Sequence, residues 1–160
     1  MNLKKHTPVI ALLVMSALPV TVDFVSAQGI QNPIVGVWRT VVTPRNCQTG
    51  EPFPSLPGLF TLHAGGTMSE YGIGPGSSPA LRSPGHGVWR EHGRQEYSFT
   101  FGYYRYNASG GFIGSQKVTA VLELGARGDA FTTRSAIQIF DANDNLVGTG
   151  CATAAGARVE

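Results

Sequence analysis

The stretch Glu96-Tyr97-Ser98-Phe99-Thr100-Phe101-Gly102-Tyr103 alternates aromatic with small side chains without a break. Only an extended chain places every second residue on one face, so this is a β-strand with Tyr97, Phe99, Phe101 and Tyr103 on its inner side. Ser98, Thr100 and Gly102 take the other face. In the next segment Val118, Ala120, Leu122 and Leu124 share a face, opposite Lys117, Thr119 and Glu123. In the one after, Phe131, Ile137 and Ile139 share a face with Thr133 and Ser135. Nothing beyond residue 28 carries the 3.6-residue apolar period of an amphipathic helix.

Eight short runs rich in Val, Thr, Tyr, Phe and Ile read as strands, near 35–43, 58–63, 67–71, 86–92, 95–106, 112–125, 129–141 and 146–158. Turn-forming residues separate them. Ala64-Gly65-Gly66, Gly93-Arg94, Asn107 to Gly111, Gly125 to Gly128 and Asp141 to Asn145 are short enough to make each pair of strands antiparallel neighbours. The predicted fold is therefore all-β, a single eight-stranded antiparallel up-and-down meander, closed into a barrel that leaves no exposed edge. The 21 glycines suit the bulges and bends of such a curved sheet. The last strand offers small residues: Gly148, Gly150, Ala152, Ala154 and Ala155. A barrel of this girth is either filled by its side chains or holds one small ligand.

Two connections are longer. Asn46 to Pro57 is stiffened by Pro52, Pro54 and Pro57. Gly72 to Gly85 (GIGPGSSPALRSPG), with Leu81 its largest apolar side chain, is either a mobile flap over an opening or a tolerated insertion.

The first residues predict where the chain goes. Lys4 and Lys5, an apolar run from Val9 to Val20, and Val25-Ser26-Ala27 form a signal peptide over 1–27, cleaved near Ala27 to leave a barrel domain over 28–160. The apolar run is too short to span a bilayer. Export makes the protein secreted or periplasmic, and there Cys47 and Cys151 read as one disulfide rather than a redox pair, which would want a C-x-x-C spacing. A formal net charge of +2, with basic residues scattered along the chain, is no footprint for nucleic acid or an anionic membrane.

Gly36-Val37-Trp38 resembles the calycin group of secreted barrels, the lipocalins and avidins, which carry Gly-x-Trp on the first strand. The resemblance implies a lumen for small, mostly apolar molecules, with Trp38 packed at one end beneath Arg158 of the last strand. The lipocalin Thr-Asp-Tyr motif and N-terminal helical turn are absent. Asn145-Leu146-Val147-Gly148-Thr149-Gly150 looks faintly like the end of dirigent and allene oxide cyclase barrels, which steer or cyclise reactive small molecules and assemble as oligomers. The tetrapeptide Gly36-Val37-Trp38-Arg39 also returns as Gly87-Val88-Trp89-Arg90, each glycine relieving crowding before a large ring.

These readings name candidates. Trp38, Trp89, Tyr97, Phe99, Phe101 and Phe131 either fill the barrel or line a ligand pocket. Glu70, Tyr71 and His86 flank the 72–85 segment and, with Tyr103, form either a polar rim or a general acid–base set acting on an apolar substrate. No metal or other cofactor is indicated. His86 and His92 share a face but lie six residues apart, roughly 20 Å along a strand, too far to share an ion. Asp141-x-Asn143-x-Asn145 lacks the glycine and the final glutamate of a calcium loop and reads as a turn. There is no Gly-x-Ser-x-Gly elbow and no phosphate-binding glycine motif. Asn107-Ala108-Ser109 is a glycosylation sequon, meaningful only in a eukaryotic host. Three functions remain: a lumen binding a small apolar molecule, a barrel cyclase or isomerase, or a filled barrel for protein association, homo-oligomers included, through outward Tyr104 and Tyr106.

Overall fold

A computed structural model describes residues 32–73 and 79–159. The proposed signal peptide and the centre of the 72–85 segment lie outside them. Eight strands follow in order: β1 (Gly36–Arg45), β2 (Leu56–Leu62), β3 (Thr67–Gly72), β4 (Gly85–Glu91), β5 (Glu96–Tyr106), β6 (Phe112–Leu124), β7 (Ala130–Phe140) and β8 (Leu146–Arg158). A single turn of 3-10 helix, Pro79–Leu81, precedes β4. Each strand pairs antiparallel with the next, and β1 pairs with β8 from Trp38↔Arg158 to Arg45↔Cys151, which closes the barrel. Among the described residues no helix is long and apolar enough to cross a membrane.

The predicted alternation sets the inside. Trp38 and Thr40 on β1, Phe60 and Leu62 on β2, Met68 and Glu70 on β3, and Tyr97, Phe99 and Phe101 on β5 are all buried. One end is packed solid. There Trp38 meets Phe131 edge-on at 5.0 Å, and Trp89 meets Tyr97 at 6.0 Å. Rings of this size fit because their neighbours are small. Phe131 pairs with Gly156, where a Cβ would come within 2.3 Å of the ring. On β8 the inward set is thus Gly148, Gly150, Ala152, Ala154 and Gly156; Ala155, grouped with them on composition, faces outward because its neighbours Ala154 and Gly156 face in.

The packed end is sealed by Arg158. Its guanidinium lies 4.2 Å from the Trp38 ring centroid and donates to the carbonyls of Val35, Gly128 and Pro33. Gly36, at φ +145°, leaves it room: a Cβ there would sit 2.5 Å from Arg158 Nη1. The second Gly-x-Trp copy has another task. A Cβ on Gly87 would fall 2.0 Å from the Thr100 carbonyl oxygen, so this glycine permits the tight approach of β4 to β5. Trp89 donates its indole N–H to the His63 carbonyl.

Cys47 and Cys151 form a disulfide with Cα atoms 5.3 Å apart, tying the 46–55 loop to β8 at the opposite end, the mouth. The Asp141 carboxylate accepts the backbone N–H groups of Asn143 and Asn145 and the Asn145 side-chain amide, which makes 141–145 a turn. Asn107 organises its own turn by accepting from Ser109 and Gly111.

Candidate functional site

Above the aromatic floor the lumen opens into a cavity of about 500 Å³ that reaches the mouth. Its lower wall is Phe60, Phe99 and Phe101. Val118, Ile137 and Ile139 line the β6–β7 side, and Gly150, Ala152 and Ala154 line β8. Thr133, Ser135 and Gln116 add polar groups. The Thr133 hydroxyl accepts the Ala154 N–H.

Glu70 enters this cavity because β3 alternates: Met68 and Glu70 point inward, and Tyr71 outward. Arg82, from the stretch before β4, turns in to meet it. Its Nη1 donates to Glu70 Oε1 at 3.2 Å and its Nη2 to Oε2. The other side of the guanidinium system is braced as well, since the Arg82 Cζ lies 3.5 Å from the Tyr103 ring centroid and Nε donates to the Ser83 carbonyl. Backbone pairing fixes the approach: Arg82 bridges Arg105, and the Ser83 N–H donates to the Tyr104 carbonyl. Both side chains of the ion pair are buried, at 9% and 4% exposure.

Two glycines make the space. A Cβ on Gly72 would be 2.6 Å from Glu70 Oε1 and 2.9 Å from Arg82 Nη1, and one on Gly85 would be 2.7 Å from Glu70 Oε2. Burial raises the Glu70 carboxyl above its ordinary value, outweighing the neighbouring Arg82 charge and hydrogen bonds, which pull it down. Burial likewise raises the Tyr103 phenol, against the lowering effect of Arg82.

The four candidate acid–base residues do not assemble. Glu70 and Tyr103 share the cavity, whereas Tyr71 is half exposed on the outer wall and His86 is exposed there too. The cause is strand parity: inward Glu70 and inward Gly85 each turn the following residue out. Of the six candidate lining aromatics, Phe99 and Phe101 reach the cavity, joined by Phe60. Trp38, Trp89, Tyr97 and Phe131 lie below it in the packed end, where the first three are covered by Arg158, the 63–66 turn and the N-terminal residues: Ile34 accepts the Trp38 indole N–H, and the Tyr97 hydroxyl donates to Asn32. Among the described residues no group of three His, Cys, Asp or Glu side chains is placed to hold a metal ion.

Arg82 escaped the sequence reading. Its one signal is that it is the sole charged residue of GIGPGSSPALRSPG, but nothing in a Gly- and Pro-rich connection tells whether a side chain turns in or out. Arg45 borders the cavity at the same mouth, where it donates to Thr153 Oγ1 and the Gly50 carbonyl. No protein-family model, curated protein or solved structure matches the chain.

Proposed function

We propose that the protein is exported and binds a small, predominantly apolar molecule in its lumen, as its resemblance to the calycin barrels implies. One observation carries the reading. The barrel is packed solid at one end and hollow at the other, and the hollow has the size and the apolar lining, with few convergent polar groups, of a ligand site. The disulfide suits the oxidising compartment that export supplies. Native mass spectrometry of the oxidised protein, produced by export and sprayed with its co-purified contents, tests it. A stoichiometric adduct of a few hundred daltons supports binding; a bare protein that takes up none of a panel of small apolar compounds sinks it.

A second reading has its own support. Glu70 lines the cavity with its carboxyl pushed up by burial, the direction of shift that suits a general acid. A cyclase or isomerase of this kind would rest on Glu70 and Tyr103, with Arg82 holding the carboxylate in place. Turnover of a bound compound separates the two, and Glu70→Gln then tests the residue: binding without turnover supports Glu70 as the acid, unchanged turnover removes it from the chemistry.

A further inference from the structure

We propose that the lumen ligand is a neutral, mostly apolar molecule whose single important polar feature is a hydrogen-bond acceptor, a carbonyl above all, docked on Arg82. This rests on the lumen reading above and adds the chemistry of the ligand to it.

Charge is the first argument. The ionisable side chains that line the cavity are Glu70, Arg82 and Tyr103 within it and Arg45 at its rim. Glu70 and Arg82 neutralise each other, and the phenol stays protonated because burial raises it. Arg45, at the rim, is held by Thr153 and Gly50, and Arg105, beyond Tyr103 on β5, is not among the lining residues. A ligand carrying its charge past the rim into the depth of the cavity would therefore find no free counter-ion there, or would have to split a buried bidentate pair and strand one of its members. A neutral ligand meets neither cost.

The second argument is the donor that remains. Guanidinium carries five N–H groups. The hydrogen bonds of Arg82 among the described residues occupy three, two toward Glu70 and one toward Ser83. Arg82 is also part of the cavity wall. Glu70 and the Tyr103 ring hold the group rigidly, so an acceptor reaching it loses little to ordering the protein. The apolar remainder of such a ligand lies against Phe99 and Phe101 on one side and Ala152 and Ala154 on the other.

Three naphthalenes of matched shape test this by titration calorimetry on the oxidised protein at neutral pH: 2-acetylnaphthalene, 2-naphthoate and 2-ethylnaphthalene. The ketone should bind roughly fivefold more tightly than the ethyl compound, the worth of one hydrogen bond. It should bind at least about tenfold more tightly than the carboxylate. Replacing both members of the pair, Glu70→Gln with Arg82→Met, leaves no lone buried charge; it should erase the ketone's advantage over the ethyl compound while the latter still binds. Naphthoate binding as well as the ketone overturns the neutral ligand. Equal binding of ketone and ethyl compound overturns docking on Arg82 while the lumen reading stands. No binding by any of the three overturns the lumen reading itself. The wild-type comparison decides the matter even if the double variant fails to fold.

Discussion

Arg82 grips both carboxylate oxygens of Glu70 inside the mouth of the barrel, across 12 residues of sequence and from two different walls. The pair fastens the connection before β4 to the inner face of β3, and the same guanidinium lies on the Tyr103 ring of β5. One ion pair thus ties three neighbouring stretches of the barrel at the point where its cavity begins.

Breaking that pair from one side should cost more than removing it whole. Arg82→Met strands a carboxylate that is 4% exposed and should lower stability by about 3–5 kcal/mol. The double change Glu70→Leu with Arg82→Met removes both charges and should recover much of the loss. Urea unfolding of the two variants beside the wild type checks this; a double variant less stable than Arg82→Met alone would contradict it.

The pair also predicts a pH dependence with a definite sign. Glu70 is raised above its ordinary 4.5, so the folded protein binds its proton more tightly than the unfolded chain does. Its contribution to stability is therefore greatest below 4.5 and falls as pH rises from there through the raised value. Asp141 acts oppositely. Hydrogen bonds from Asn145 and Asn143 hold it below its ordinary 3.8, so the stability it confers is present above 3.8 and lost as pH falls through its lowered value. Unfolding midpoints measured against pH should flatten above pH 4.5 in Glu70→Gln and below pH 3.8 in Asp141→Ala. The reverse assignment would refute both.

Glycines that look alike in sequence should respond very differently to a methyl group. Gly87→Ala drives a Cβ to 2.0 Å from a backbone oxygen on β5, which cannot step aside without separating the two strands. That change should prevent folding or cost several kcal/mol, at or above the upper range of ordinary overpacking, about 3 kcal/mol. Gly150→Ala places its Cβ 3.7 Å from Ile137, an ordinary contact, and projects into the cavity. It should leave stability within about 1 kcal/mol and weaken lumen binding by filling space. Thermal melts and ligand titrations on the pair decide it.

Arg158 should resist its conservative replacement. Its planar group covers the Trp38 ring while feeding the carbonyls of Val35, Gly128 and Pro33, and a lysine can match neither the fork nor the stacking. Arg158→Lys should lose on the order of 3 kcal/mol and shift Trp38 emission to the red as water reaches the ring. Emission and stability unchanged in that variant would show the seal to be dispensable.

Alternation made most of the barrel legible. A run such as Tyr97 to Tyr103 permits one face assignment only, and turns such as Asn107 to Gly111 force antiparallel neighbours, so strand order and interior followed from local chemistry. The depth of each inward ring did not. Phe99 and Phe131 have the same pattern, yet one lines the cavity and the other lies in the packed end, because depth depends on the stagger between strands, which no single strand encodes. The acid–base grouping failed for a related reason: proximity to one loop placed Glu70, Tyr71 and His86 together, but parity divides them between lumen and outer wall. Arg82 was hidden because an irregular connection has no parity to read.

The disulfide should matter more for stability, and for the mouth, than for closure of the barrel. Cys47 and Cys151 are 104 residues apart, and a cross-link closing so long a loop is worth about 4–5 kcal/mol on the chain-entropy estimate. Yet β1 and β8 pair along eight residue positions without it, from Trp38↔Arg158 to Arg45↔Cys151. What the bond adds is a covalent tie between β8 and the 46–55 loop, whose Asn46, Cys47, Gln48 and Phe53 border the cavity. Cys47→Ser with Cys151→Ser should therefore remain a folded barrel, with its near-ultraviolet circular dichroism from the packed aromatics kept and its unfolding free energy from urea titration lowered by up to that amount. Ligand uptake should weaken while the aromatic signal persists. Loss of the aromatic signal in the native variant would place the disulfide among the elements that close the barrel.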